Sequence, residues 1–380
     1  MHVKFNNQHL GTGDSKVRVL HAAAFLKPSS GIVQQMKWEK MAASSLGLNW
    51  QVIIYSTESL GSSLSTILLL EKLCSHLNLR RIKNIIELFI LRLNFYRWLE
   101  SIEDNVDIYL LRYSLYDIQQ LRFISKSKKP VYLVHHTLEI KELSLQRGAL
   151  GYLKVIAESW LGKKSIKKSS VTVGVTKEIV DFEIARSQQI GRHSIIYPNG
   201  VIYDDRVLAD RRTIIPEIIF VASMFLPWIG LDLLLDEMSN NTDEFCLHLV
   251  GQLNEKDYEL AIQDKRIIIH GHKNADEIEK ISESCWIGLS SFGLFRKGMT
   301  EACALKVRDY LRMGLPVFSG YQETLPSNFK YYRNSKLSIE GILNFAFENR
   351  NVTRKEVSIS ARPYIDKIEL LKRLAEQMKY

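Results

Sequence analysis

Short apolar runs with β-compatible residues recur along this chain, and between them the apolar positions change to helical spacing. Val17-Arg18-Val19-Leu20-His21-Ala22-Ala23 leads through Pro28-Ser29-Ser30-Gly31 into Ile32, Gln35, Met36, Met41 and Ala42 at helical intervals, with Ser29 or Ser30 placed to cap the helix. Trp50-Gln51-Val52-Ile53-Ile54-Tyr55 follows as a second strand, which makes the opening a βαβ unit. Residues 106–112, 131–136 and 171–176, then Ile195-Ile196-Tyr197, continue the alternation, with a helix expected from Lys177. After a linker over about residues 199–214 the pattern restarts. Strands are expected at 218–222, 245–250, 267–270 and 286–290, and helices from Gly230 to Met238 and after the capping run Asn274-Ala275-Asp276-Glu277. At 380 residues and 46% hydrophobic content, the chain exceeds what one core usually supports. Two Rossmann-like α/β domains with parallel sheets are expected.

The stretch from Glu301 to Val317 carries the densest chemistry. It sets Glu301, seven residues and Asp309 ahead of a helical pattern that stops at Gly314, before Leu315-Pro316-Val317-Phe318 starts a buried strand. A helix over about 305–313 puts Lys306 and Asp309 at i and i+3 near its N-terminus, where unpaired N–H groups and the macrodipole favour phosphate. Lys306 adds a point charge, and a carboxylate one turn in can accept hydrogen bonds from a ribose diol. An ordinary amphipathic helix with charges on its wet face has the same pattern.

Glu301-x7-Asp309 followed by Tyr310-Leu311-x-x-Gly314-Leu315-Pro316-Val317 resembles the E-x7-E signature of the retaining GT-B enzymes of glycosyltransferase family 4 (glycosyl transferases group 1), with Asp309 in place of the second Glu. Pro198-Asn199-Gly200-Val201, Phe220-Val221-Ala222-Ser223 with Gly230-Leu231-Asp232-Leu233-Leu234, and Leu249-Val250-Gly251 resemble further family elements in the expected order. The resemblance implies two Rossmann-like domains facing each other across a cleft: residues 1–200 binding the acceptor, 201–363 binding a nucleotide sugar, and a C-terminal helix over 364–380 crossing back, with a hinge at 358–363. It also implies roles. Asp309 holds the donor ribose, Glu301 the sugar or its phosphate surroundings, Lys306 the diphosphate and Asn199 the cleft wall, and Val307 belongs to the donor-binding set. Gly31 stands where related proteins carry a Gly-rich loop facing the donor, and Ser223 and Gly251 lie on the ligand edge of the second sheet. His135-His136 closes a strand in the region where the family has a His that contacts the transferred sugar, and His136 is the candidate; a packed or surface histidine is the alternative. One departure stands out. Related enzymes place a Lys just before the glycine of the Gly230-Leu231 element, and this chain has Trp228-Ile229, leaving Lys306, with Arg296 or Lys297, for the phosphates.

Cys74, Cys246, Cys285 and Cys303 are scattered, with no C-x-x-C pair or His/Cys ligand spacing, so neither a zinc site nor a disulfide framework is expected and a reducing compartment fits. Asp204-Asp205, beside Arg206, reads as a turn and not a metal pair, and Gly11-Thr12-Gly13 precedes its strand, so it is not a dinucleotide fingerprint. No cofactor is expected. The N-terminus lacks a signal-peptide core and no run approaches the roughly 18 apolar residues of a membrane span. A net charge of +9 fits nucleic acid, an anionic membrane or anionic substrates, and only the charge speaks for nucleic acid. Two stretches, residues 80–98 within a helical pattern from Ser65 to Glu100, and 147–170, mix Lys and Arg with Trp, Tyr, Phe and Leu. That is the composition of an interfacial helix, or of a packed helix with a solvated edge.

The expectation is a metal-independent glycosyltransferase taking a nucleotide-sugar donor and a glycan or lipid-linked acceptor for cell-surface polysaccharide. It would work in the cytoplasm, with peripheral attachment to the inner membrane face as one reading of the basic stretches. A catalytically weak GT-B partner subunit and a nucleotide-sugar epimerase are the alternatives.

Overall fold

The computed structural model describes residues 17–56, 80–145, 148–203 and 208–378. Gly11-Thr12-Gly13, Cys74, the start of the helical stretch from Ser65, Arg147 and Asp204-Asp205 lie outside these residues. The chain forms two compact units: Met1–Gly174, Ile179–Ile196 and Leu374–Tyr380 make the first, and Val175–Glu178 with Tyr197–Arg373 the second.

In the first unit, β1 (Val19–Ala24), α1 (Ser30–Ser45), β2 (Trp50–Tyr55), α2 (Arg80–Ser101), β3 (Ile108–Arg112), α3 (Ile118–Lys126), β4 (Val131–His135), α4 (Glu139–Ser144), α5 (Ala149–Lys168), β5 (Val171–Gly174), α6 (Lys177–Ser187, whose first two residues belong to the second unit) and β6 (Ser194–Ile196) follow one another. The sheet order is β2-β1-β3-β4-β5-β6, every pair parallel. Such strands are covered on both faces, which is why they read as nearly unbroken apolar runs. Local signals fix the helix starts unevenly. Asp117 caps α3 by accepting from the N–H groups of Gln119 and Gln120, whereas Ser29 stands at the N-cap of α1 without a side-chain cap bond.

The second unit runs β7 (Glu217–Met224), α7 (Leu231–Ser239), β8 (Cys246–Gln252), α8 (Glu255–Ala261), β9 (Ile267–Gly271), α9 (Ala275–Ser282), β10 (Ile287–Leu289), β11 (Glu301–Ala302), α10 (Leu305–Arg312), β12 (Val317–Ser319), β13 (Gln322–Glu323), β14 (Tyr332–Asn334), α11 (Ile339–Glu348), α12 (Arg354–Ile365) and α13 (from Lys367). Its main sheet is again parallel, in the order β14-β12-β10-β7-β8-β9. Strand order therefore reverses at β7, and the crevice outside the carboxyl ends of β7 and β10 is the place where open α/β sheets bind ligands. Phe220, Leu249, Leu289 and Phe318 pack with residues of α7 and α11 in its core. Asn274 and Glu277 form the expected capping box on α9.

The tail differs from expectation. Residues 358–363 are not a hinge but lie inside α12, Pro363 included, and the chain breaks at Asp366. The break is imposed by Val201, whose N–H bonds Ile365 O at 2.9 Å and whose carbonyl accepts from Lys367 N–H at 2.8 Å. Asp366 then accepts from Ile368 N–H at 3.0 Å, starting α13. Gly200 permits this approach: a Cβ there would stand 2.8 Å from Leu370 Cδ1 and 3.0 Å from Ile365 O.

Candidate functional site

At the carboxyl edge of the second sheet, close backbone approaches shape the floor. Gly251, next to last in β8, has a φ of +130°, and a Cβ there would lie 1.6 Å from Ala222 O, so only glycine lets β8 run this tightly beside β7. Gly230 (φ +79°) opens α7 against Gly293 in the same way. Ser223 is exposed just beyond.

The entrance to α10 is held by a buried polar network. Pairing of β11 with β13 brings Glu323 under the loop, where Oε1 accepts from Ala304 N–H at 2.9 Å and Oε2 pairs with Arg308 Nη1. Both side chains of that pair are fully buried. Tyr321 OH donates to Glu323 at 3.2 Å and meets Ser290 Oγ at 2.8 Å, linking the loop to the end of β10. Asn199 is a strut in this network and not an open wall: its Nδ2 donates to Cys303 O at 2.8 Å, its N–H to Cys303 Sγ, and its carbonyl accepts from Arg308 Nε. On the other side of α10, Tyr310 OH accepts from Val221 N–H at 2.8 Å, and Gly288 leaves room for the Tyr310 ring. Arg308, Tyr310 and Glu323 were missed by sequence reasoning, since a charged or aromatic residue beside a signature reads as surface until its burial is known.

Within this frame α10 begins at Ala304 with no side-chain cap and no acid in its first turn. Lys306 is half-buried overall, but its Nζ is enclosed, has no hydrogen-bond partner, and lies 5.2 Å from the Phe220 ring centroid. Burial alone lowers its pKa to about 7. Burial likewise raises the Asp309 carboxyl to about 6, against the opposing pull of Arg312. The two groups thus share a helix turn but have different neighbours, Phe220 for one and Arg312 with Glu279 for the other. Perturbed titratable groups concentrate at functional sites, which makes this pair the candidate.

Other expected residues fare differently. Val307 has a fully buried side chain, and its N–H donates to Ala304 O at 3.2 Å. Arg296 is held by Asp232 at 2.7 and 2.8 Å and by Pro227 O, so it is already engaged. Lys297 sets its ammonium 4.2 Å from the Trp228 ring centroid, next to the element that lacks the lysine. Glu301 carboxylate accepts from Glu178 N–H at 2.9 Å, while Glu178 carboxylate accepts from the Thr300 and Glu301 N–H groups.

Gly31 and His136 belong to the first unit. Gly31 lies in the first turn of α1, after β1, and His136 follows β4 with its N–H donating to Glu139 at 3.3 Å. His135, by contrast, is fully buried, stacked on Tyr113 at 4.3 Å, with Nδ1 3.2 Å from Glu139 and 3.9 Å from Glu183. Burial pushes its imidazole toward neutrality, but Glu139 and Glu183 outweigh that and leave its pKa above the usual range. His135 is therefore a packed charge partner, and His136, half-buried, is the one of the pair left as a candidate.

No protein-family model and no curated protein sequence matches the chain. Solved structures do match over nearly its whole length. The lipopolysaccharide outer core galactosyltransferase WaaB, in its apo form, is 13% identical with a TM-score of 0.59, covering 96% of this chain and 100% of that one. Anabaena Alr3699/HepE in complex with UDP and glucose is 12% identical with a TM-score of 0.57, covering 96% and 99%. A glycosyltransferase from Rickettsia africae ESF-5 is 13% identical with a TM-score of 0.63, covering 96% and 99%. The chain has the fold of the GT-B glycosyltransferases.

Proposed function

We propose that this protein is a retaining glycosyltransferase similar to family 4, moving a sugar from a nucleotide diphosphate to a glycan or lipid-linked glycan in cell-surface polysaccharide biosynthesis. One observation carries this reading: an enclosed lysine amine without a counter-ion, Lys306, beside the uncapped start of α10 at the ligand edge of a GT-B sheet. An ammonium desolvated in this way is costly until an anion arrives, and a helix N-terminus is built for phosphate. UDP in the HepE structure is an anion of the required kind. The assignment of residues 201–363 to the donor, and of residues 1–200 with the tail over 364–380 to the acceptor, rests on the same reading.

In the reaction the bond from the anomeric carbon to the donor phosphate breaks while the acceptor hydroxyl bonds to the same face of that carbon. The negative charge gathering on the leaving diphosphate is met by Lys306 and the first N–H groups of α10, a preorganised set that replaces the metal of other transferases. The departing phosphate oxygen takes the acceptor proton, so no dedicated base is required. Asp309 accepts from the donor ribose, Glu301 borders the sugar, and Ser223 and Gly251 form the floor. His136 offers an imidazole on the acceptor-binding unit. Magnesium and manganese are dispensable in this scheme.

A second reading, a GT-B partner subunit without turnover, is favoured by the missing lysine before Gly230, where the chain has Trp228-Ile229, and by the engagement of Glu301 with Glu178. Incubation with UDP-, GDP- and ADP-sugars, with and without a membrane lipid extract, separates the readings. Nucleotide release that requires the extract is the expected result. Donor interconversion without acceptor means an epimerase, and no turnover with any donor means a subunit.

A further inference from the structure

At the opposite, amino-terminal edge of the second sheet, Glu217 at the start of β7, Cys246 and His248 on β8, and Cys285 just before β10 gather their donor atoms. The carboxylate, imidazole and thiol of Glu217, His248 and Cys285 lie within 4.8 Å of one another. Glu217 Oε2 stands 3.0 Å from His248 Nε2, and Cys246 Sγ stands 3.7 Å from the same nitrogen. Metal bonds of about 2.0–2.3 Å at tetrahedral angles set ligand atoms roughly 3.3–3.8 Å apart, so the separations of Glu217 and Cys246 from His248 are near those of a coordination shell, and Cys285 needs only a small inward shift to join it.

We propose that Glu217, Cys246, His248 and Cys285 form a binding site for a zinc-class divalent cation, independent of the donor site. Two thiols, an imidazole and a carboxylate are a donor set suited to a borderline-soft ion with tetrahedral preference. The supporting groups fit as well. His248 Nδ1 lies 2.9 Å from His270 Nε2, a contact that directs His248 Nε2 toward the other ligands when Nδ1 carries the proton. Thr213 Oγ1 donates to Glu217 Oε1 at 3.0 Å, leaving Oε2 to face the cluster. Cys285 is fully buried, whereas Glu217 and Cys246 are half-buried and open a path for an ion. The Arg354 guanidinium, bonded to Cys285 O at 3.0 Å, favours a thiolate there. Burial and Glu217 otherwise hold both thiols protonated, so the ion must displace their protons. The ion would tie β7, β8 and the approach to β10 together, roughly 20 Å along the strands from the donor edge.

The test uses the purified chain, stripped with a chelator and titrated with Zn2+ by calorimetry and with Co2+ by absorption. One ion per chain, a thiolate-to-cobalt charge-transfer band and a raised melting temperature are expected. Cys246→Ser and Cys285→Ser should each diminish the band, and His270→Ala, which removes a positioning residue, should weaken binding about 10–100-fold. A parent that takes up no zinc, or binds cobalt without the band, overturns the proposal. So does a folded Cys246→Ser/Cys285→Ser double variant that binds zinc as tightly as the parent. If circular dichroism shows that a variant has lost its fold, the parent's cobalt spectrum decides.

Discussion

Lys306 and Asp309 each sit at a protonation balance that a donor bound as proposed would disturb. With the amine near 7 in the free protein, a diphosphate prefers its charged form, so affinity should fall as pH rises above about 7 and binding there should take up a proton. With the carboxyl near 6, ribose hydroxyls find an acceptor only above that pH, so affinity should fall again on the acid side. UDP-glucose calorimetry across pH should give a maximum between the two, with Lys306→Met removing the alkaline limb and Asp309→Asn the acid limb. Each variant should lose about 1.5–3 kcal/mol of binding at the optimum, the range for charge-assisted hydrogen bonds. A flat profile in the parent would separate these residues from the donor.

The element that matters most is α10, and what holds it is Glu323, on β13. Glu323→Ala would strand the buried Arg308 guanidinium and the Ala304 N–H, a loss of about 3–5 kcal/mol by analogy with other broken buried ion pairs. Chemical denaturation measures that loss directly. Replacing both partners, Arg308→Met with Glu323→Leu, should recover much of the stability without restoring donor binding, because the loop before α10 would no longer be anchored to Asn199 and Glu323. Recovery of both together would mean that the network only fills space.

At the scale of the molecule, the proposed lipid-linked acceptor predicts that the first unit meets a membrane surface. On α5, Tyr152, Leu153, Ile156 and Trp160 are all at least half exposed, and Lys164 lies 3.6 Å from the Trp160 ring centroid. Among the described residues no helix is long and apolar enough to cross a bilayer, so on this proposal the exposed face of α5 would rest on the surface as an interfacial helix does. Each Lys or Arg at an anionic surface contributes about 1 kcal/mol, so neutralising Lys163, Lys164, Lys167 and Lys168 together should release the protein from anionic vesicles, as should high salt. Sedimentation that is indifferent to both would make α5 an ordinary solvated helix.

The sequence by itself determined the alternation of strand and helix, the parallel sheets and the place of α10, because these follow from local periodicity, glycine and capping residues. The motif at Glu301–Asp309 also marked the candidate site, since its elements are adjacent in the chain. What spacing could not reveal was which charges are buried and what surrounds them. Lys306 and Asp309, i and i+3 on one helix, have different neighbours only because Phe220 lies beside one and Glu279 beside the other. Asn199 becomes a strut because Cys303 and Arg308 fold back onto it, and the tail breaks at Asp366 because Val201 pairs there. Cysteines scattered along the chain gave no ligand signature. Yet Cys246 and His248, two residues apart on one strand, share a face that Glu217, Cys285 and His270 reach from other segments. Such juxtapositions are set by strand order and register, which no local run of residues encodes.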